Sequence, residues 1–551
     1  MVELRPVPVA IIGGGPVGMA LAMSLAQLGV RSVIVNTESS SRWHPKGNTH
    51  NARTMEHYRR FGIAAGLRKV GLPPDHPTDV AYFTTLNGWE LARHPLPSER
   101  QKMARVAEAG PTDQVPEPLF RANQMFVEAE LFRHIKTMPQ VDARYGWRCV
   151  AVAEQSGGKF ALTIEDVASG RREELLCDYL AGCDGGHSIV RSWLGIAYSG
   201  ERPTEQAYGS GATCSTHLRA PALYDRILKE KKRCWQHWVV NPRVRGLLQS
   251  LDGAGDFLFN SRIKTIDEPP DPQYIARTFL ACVGEEVPFE FVGHFPWIAG
   301  QAAVADRFGE GNVWLAGDAV HLFTPTGGFG MNTGIDDATN LGWKLAAMVQ
   351  GWGGPHLLVS YAAERRPIAF RNTGMAKRFT RELGAAPTEP QMLEDTEVGA
   401  SARRRTGAFF EGFGEEFGSI GIQLGARYDG SPIVVPDGTA PPPDDPIHYT
   451  PSACPGGRAP HLFLGRNDSL FDHFGPGFTL LRLAGDQDSR PLAAAAKARG
   501  VPFKSFDVGL AEGRALYGAD LALIRPDQHV AWRANALPED CGALIARVTG
   551  W

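Results

Sequence analysis

No two of the eight cysteines in this 551-residue chain stand in a CxxC arrangement. Scattered single thiols give neither a disulfide framework nor a zinc site, and they fit a reduced intracellular protein with no bound metal. Long runs of basic charge are also missing. The densest, KEKKR at Lys229–Arg233, is broken by Glu230 and suits a solvated face, and a net charge of −3 creates no field for gathering nucleic acid. There is no internal repeat and no coiled-coil heptad. A single stretch, Val7–Gln27, is free of charge for long enough to suggest a signal peptide or membrane anchor. Three consecutive glycines and Pro16 interrupt it, where a membrane helix needs continuous apolar side chains, and no second candidate span follows. The expectation is a soluble, cytoplasmic protein.

What is present is an ordinary globular composition, 43% hydrophobic and 21% charged. The length corresponds to about three or four domain-sized units. The charge-free stretch reads as strand, turn and helix: Val7–Ile12 is an apolar run, GGGPVG turns the chain, and Gly18–Leu28 has helical apolar spacing. Gly13, Gly15 and Gly18 form GxGxxG. The first glycine permits the tight turn, the second lets a pyrophosphate approach the backbone, and the third allows close helix–strand packing. The helix N-terminus supplies N–H donors to the phosphates. After the next strand, Ser32–Val35, a dinucleotide site wants an acidic residue for the adenosine ribose. The chain has Asn36 there and Glu38 two residues later. Asn can both donate and accept, so ribose contact stays feasible.

Two further glycine-rich elements follow strands. YLAGCDGGHSIVRSWLGI places Asp184–Gly185 after a short apolar strand and Arg191 in a following helix. LAGDAVHLFTPTGGFGMNTGIDDATNLGWKLA, from Leu315 to Ala346, sets Asp318 after an apolar strand and four glycines before an apparent helix. An Asp-Gly pair alone is commonly just a turn. Three such elements, in this order and each at a strand end, form a set.

That set resembles the flavoprotein aromatic hydroxylases, the single-component monooxygenases of the p-hydroxybenzoate and phenol hydroxylase type. GxGxxG, the DGxxSxxR run at Asp184–Arg191, AGDAVHLFTPTGGFGMN and YAAERRP at Tyr361–Pro367 carry the resemblance over roughly residues 7–370. It implies FAD as cofactor and NADPH or NADH as a transient reductant, since no second GxGxxG is present. It also implies that Asp318 bonds the ribityl chain and that Asp184 belongs to the cofactor site. The Gly330 backbone would come close to the isoalloxazine. A helix starting near Met331–Asn332 would aim its positive end at the flavin pyrimidine, and Pro325 would lie beside the reactive edge. Arg53 in NARTMEHYRRFG matches an arginine near the FAD phosphates, and Gln124 in FRANQMFVEAELF matches a cofactor-contacting glutamine. Taken alone, Arg53 is equally a surface helix charge and Gln124 a helix-start residue. His50, ahead of the helix carrying Arg53, is a candidate for activating a phenol, though a lone histidine is more often structural.

The implied fold is α/β: a Rossmann-like FAD-binding domain interleaved with a β-sheet substrate domain, plus a thioredoxin-like C-terminal domain. The FAD-binding parts span 1–74, 104–199 and 301–370, and the substrate parts span 75–103 and 200–300. A helical connection covers 371–430 and the C-terminal domain 431–551. Aromatics that could line a substrate pocket are Trp235, His237, Trp238, Phe257, Phe259, Phe295 and Trp297, each of which suits a plain core as well. Near 436–460 the chain is a proline- and glycine-rich linker. Beyond it, strand and helix alternate; Cys454 and Cys541 form no redox pair, and the domain suits packing or formation of a homodimer.

The implied reaction is hydroxylation of a small phenolic aromatic by NAD(P)H and O2, through a flavin C4a-hydroperoxide. Two rivals are an epoxidase or halogenase on the same fold, and a non-catalytic flavoprotein that sequesters an aromatic ligand. FPWIAG at Phe295–Gly300 lacks the pattern expected around a halogenase tunnel.

Overall fold

A computed structural model describes residues 6–201, 211–484 and 487–551. Residues 202–210, near the start of the expected second substrate segment, lie outside the described residues.

Val7–Ile12 becomes a strand because its apolar run can be buried on both faces, as a central parallel strand requires. It pairs in parallel with Ser32–Asn36 on one side and Arg172–Gly182 on the other, with Ile11 opposite Ile34 and Ala181. Val141–Tyr145 and Val313–Leu315 extend the parallel array. The hairpin Trp147–Gln155 and Lys159–Asp166 adds antiparallel strands beside Arg172–Gly182. The helix Pro16–Gln27, with proline at its first turn, packs this sheet against the long buried helix Phe329–Val349. Every strand of the array thus delivers its C-terminal end to one side, where the glycine-rich elements lie.

A second sheet has seven strands, in the order Glu290–Ala299, Gly211–Arg219, Asp256–Arg262, Arg245–Ser250, Gln236–Val240, Val80–Phe83 and Glu90–His94. Alternation gives it two unlike faces. One buries Phe83, Phe257 and Phe259 under the helix Pro272–Val283. That helix starts where the Asp271 side chain accepts from Gln273 N–H at 2.9 Å and Pro272 follows. The opposite face presents Tyr82 and Trp238, which pack with Phe329, Phe379 and Phe410. It therefore looks toward the loop that opens the helix Phe329–Val349.

The helix Leu357–Gly384 continues through Pro367. Buried Glu364, Arg365 and Ile368 anchor it on both sides of the missing N–H. The C-terminal region forms a four-stranded sheet in the order Phe503–Asp507, Phe478–Arg482, Leu521–Ile524, Val530–Ala534. A parallel first pair followed by an antiparallel hairpin, with Cys541–Val548 closing the chain, is a thioredoxin-like arrangement. All eight cysteines are free. The expected linker is firmly held: Arg458 lies fully buried against Glu56 of the FAD-binding region. Among the described residues, no helix is long and apolar enough to cross a membrane.

Candidate functional site

Gly13 turns the chain at φ +104°, and a Cβ there would lie 2.2 Å from the carbonyl oxygen of Cys183. A Cβ on Gly18 would lie 1.9 Å from the Gly13 oxygen, so helix and strand touch through that glycine. Gly15 is different. Its φ is −74°, and a Cβ there would meet nothing within 4 Å. The chain's own packing does not require glycine at that position, and the helix it precedes has no side-chain cap. Open space in front of uncapped amides fits a phosphate group. Asn36 Oδ1 accepts from Gly14 N–H at 3.1 Å, and the Tyr145 hydroxyl donates to Gly14 O at 2.7 Å. Asn36 thus holds the turn with its oxygen, while its Nδ2 donates to Glu38 O at 3.5 Å.

The backbone around Asp318 is clamped from within. Gly317 N–H donates to Asp337 Oδ2 at 3.2 Å, and the same carboxylate holds His321 Nε2 at 2.6 Å and Arg365 Nε at 2.8 Å. Burial opposes ionisation of Asp337, but His321 and Arg365 prevail and hold its carboxyl below the usual range. The Tyr198 hydroxyl donates to the Asp318 carbonyl. The Asp318 side chain, by contrast, is exposed and makes no hydrogen bond among the described residues. Asp184 accepts from Ile189 N–H through Oδ2 at 2.7 Å, while its Oδ1 is buried without a partner among the described residues. Burial pushes its carboxyl upward. An orphaned buried oxygen at a strand end suits a hydroxyl donor.

Pro325 is exposed at the head of the third element. The helix after it begins at Phe329 rather than near Met331–Asn332, because Gly327 and Gly328, at φ +78° and +64°, complete the turn first. Asn332 is buried, and its side chain is fully used inside the protein. Its Oδ1 accepts from Asn51 N–H at 2.9 Å and Thr54 Oγ1–H at 2.7 Å, and its Nδ2 donates to Thr49 O and Gly328 O. What remains for a ligand is the uncapped first-turn backbone, including half-buried Gly330 and Met331. A Cβ on Gly330 would make only ordinary contact with Phe323, at 3.5 Å, so internal packing does not demand that glycine either. On these observations the residues fit a dinucleotide with a planar ring system.

Two expected site residues are elsewhere. His50 is fully buried beside Tyr58 and Phe120, and burial pushes its imidazole down to about 3. A neutral ring inside that core cannot reach a substrate. Arg53 is also buried, bonding Glu56 Oε2 at 2.8 Å, Gln528 Oε1 at 2.7 Å and Asp527 O at 2.6 Å. Its charge is paired with Glu56 and Asp336, and its remaining donors reach Gln528 and the Asp527 carbonyl of the C-terminal domain. Gln124 heads the helix Gln124–Ile135; its Nε2 donates to Glu128, and its backbone N–H donates to Gly47 O at 2.7 Å.

The aromatics divide by sheet face. His237, Phe257 and Phe259 lie in the core under the helix Pro272–Val283, and burial pushes His237 down to about 3. Trp235 and Trp238 face the Phe329 side. Phe295 stacks on His44 at 4.1 Å, and Trp297 Nε1–H donates to Ser215 Oγ at 2.9 Å. Sequence reasoning missed Asn48. Its Nδ2 donates to Gln249 Oε1 at 2.8 Å and its Oδ1 accepts from Asn123 at 2.9 Å, tying the FAD-side loop to the sheet. Its position in GNTHNARTM, beside the residues that were singled out, was the available signal.

A family model described as FAD binding domain matches residues 6–376, and one described as aromatic-ring hydroxylase, C-terminal, matches residues 452–551. The chain is 31% identical to the FAD-dependent monooxygenase apdD of Emericella nidulans, over 100% of this chain and 91% of that protein. Its fold is similar to RebC with bound 7-carboxy-K252c, with a TM-score of 0.88, 33% identity, and coverage of 99% of this chain and 100% of that one. It is also similar to aklavinone-11 hydroxylase in complex with FAD and aklavinone, with a TM-score of 0.79, 25% identity and full coverage of both chains. The chain belongs to the FAD-dependent aromatic-ring hydroxylases.

Proposed function

We propose that this hydroxylase acts on a phenolic aromatic held between the exposed Pro325 loop and the seven-stranded sheet. The enzyme is a FAD-dependent monooxygenase using NAD(P)H and O2. The observation that carries the substrate reading is the placement of Phe329, at the start of the uncapped helix, against Trp235 and Trp238 of the sheet. That packing sets the start of the helix beside the apolar face of the sheet, and the reading seats the planar ring next to both. Of the structures that share the fold, that of RebC holds 7-carboxy-K252c and that of aklavinone-11 hydroxylase holds FAD and aklavinone.

When bound, FAD supplies the redox chemistry and the activation of O2. The chain's own residues position it. Gly13, Gly15 and Gly18 shape the turn that would take the pyrophosphate, and Asn36, at the end of the second strand, would meet the adenosine ribose. Asp184 and Asp318 accept from hydroxyls of the cofactor, and Gln124 lies beside the same cleft. The backbone amides of Gly330, Met331 and Asn332, with the helix dipole behind them, stabilise negative charge on the flavin pyrimidine. Pro325 caps the reactive edge and helps keep water from it. The Asn48–Gln249 bond fixes the distance between the FAD-side loop and the sheet.

Isotope labelling tests the reading. With phenols of increasing ring number under ¹⁸O2, the product gains a single heavy oxygen, and H2¹⁸O labels none. Oxygen drawn from water, or NAD(P)H consumption that yields no hydroxylated product with any phenol, overturns it.

A further inference from the structure

Beside the Pro325 loop lies a small pocket formed where the segment after the helix Glu397–Glu411 folds back over the site. It is lined by Thr49, Arg121, Gly327, Phe329, Glu416 and Phe417. Glu416 accepts the Gly327 N–H through Oε1 at 3.0 Å, and its Oε2 is buried with no hydrogen-bond partner among the described residues. Across the pocket, buried Arg121 lies over the Trp235 ring at 4.2 Å. Its one hydrogen bond among the described residues goes to Thr49 Oγ1 at 2.5 Å. Arg121 and Glu416 make no ion pair with each other. A buried cation with spare donors thus faces a buried carboxylate with a spare oxygen, beside the edge of the proposed flavin site. Two such groups left apart are costly unless something polar bridges them.

We propose that Glu416 is the base that takes the hydroxyl proton of the phenolic substrate, and that Arg121 holds the resulting oxyanion. This rests on the hydroxylase reading above and adds the group that activates the ring. The step is a proton transfer only. The phenol O–H bond breaks, its electron pair stays on oxygen beside the Arg121 guanidinium, and the proton forms the Glu416 carboxylic acid. After the ring is hydroxylated, the proton returns to the product oxygen or to water. No redox change occurs at either side chain. An electron-rich phenolate ring is what electrophilic oxygen transfer requires, and a general base works best when its pKa lies near the working pH.

The surroundings agree. Burial pushes the Glu416 carboxyl up to about 7, against the opposing pull of the Gly327 amide and Arg121. Other charged groups nearby are engaged elsewhere. Glu415 pairs with Arg378 at the surface. His94, which packs on Phe417, is bonded through Nε2 to Phe410 O at 2.8 Å.

The test uses full-length, FAD-loaded protein with unsubstituted phenol as a probe read by its ultraviolet phenolate band, at about pH 8, above the Glu416 titration at about 7 and below the probe's own ionisation at about 10. Difference spectra should show the bound probe as its anion in the wild-type protein. In Glu416→Gln it should be bound as the neutral phenol. Gln keeps an acceptor for Gly327 N–H, so a merely structural role would leave the spectrum unchanged. Turnover of phenols should fall by about a hundredfold or more in Glu416→Gln, and its pH profile should lose the limb near neutrality. Glu416→Asp should restore part of both signals, and Arg121→Gln should also lose the bound anion. Equal anion signals in wild type and Glu416→Gln, or none in wild type, overturn the proposal. The ¹⁸O2 experiment on wild-type protein decides the hydroxylase reading separately.

Discussion

Arg53 Nη1 donates to Gln528 Oε1 at 2.7 Å, across 475 residues of sequence. The bond joins the helix Ala52–Arg60, beside the cofactor cleft, to the turn between the last two strands of the C-terminal sheet. It belongs to a buried set of charges in which Arg525 bonds Glu364 and Asp527, and Lys344 bonds Glu364 at 2.6 Å. Removing one member of such a set leaves the others uncompensated in a low dielectric. Arg53→Ala should therefore lower stability by about 3–5 kcal/mol, with FAD affinity of the folded fraction little changed. Denaturation followed by FAD titration distinguishes the two effects. A large loss of affinity with normal stability would return Arg53 to the cofactor.

The fingerprint glycines should separate by role. Gly18→Ala forces a Cβ against the Gly13 carbonyl, so the apoprotein should lose at least about 2 kcal/mol, as overpacking does. Gly15→Ala meets nothing within 4 Å among the described residues, so the apoprotein should melt normally while FAD binding weakens by about tenfold or more, some 1.4 kcal/mol. Calorimetry of both apoproteins and flavin titration check this. Equal behaviour of the two variants would show that the space at Gly15 is not the phosphate site.

Asp318→Ala removes an exposed carboxylate that makes no hydrogen bond among the described residues. Stability should not change. FAD affinity should fall about ten- to hundredfold, since a charged hydrogen bond contributes about 1.5–3 kcal/mol. Heat-released pigment should be FAD rather than FMN by chromatography. An unchanged dissociation constant would move the ribityl contact elsewhere.

Glu416 also predicts a pH dependence that needs no substrate. Its folded-state carboxyl titrates at about 7, well above an unfolded glutamate at about 4.3. Between those values the folded state binds the extra proton, so this group's contribution to stability falls as pH rises from about 5 to 8. Glu416→Gln lacks the effect. Its melting temperature relative to wild type should rise steadily over that range. A constant offset between the two proteins would show that Glu416 ionises normally.

Much of the cofactor site was legible because its signals are local. An apolar run, a turn that needs positive φ and a helix start are set by neighbours within a few residues. Thus Val7–Ile12 emerged with the expected bounds and the glycines of GxGxxG fell between strand and helix. The same holds for the alternation of strand and helix in the C-terminal domain. Side-chain roles within those motifs were less legible. Asn332 stands in the expected motif, yet its amide is used within the chain, bonding Asn51, Thr54 and Thr49.

Residues whose partners come from distant segments were decided by the tertiary structure alone. In the sequence His50 and Arg53 are a histidine and an arginine beside a family-like motif. Only packing shows that one is sealed beside Phe120 and that the other pairs with a domain at the far end of the chain. The same is true of Asn48, which needs Gln249, and of Glu416, which needs both Gly327 and Arg121. Backbone geometry follows from local residue types, whereas the charge state and availability of a side chain depend on what the fold brings within a few ångströms of it.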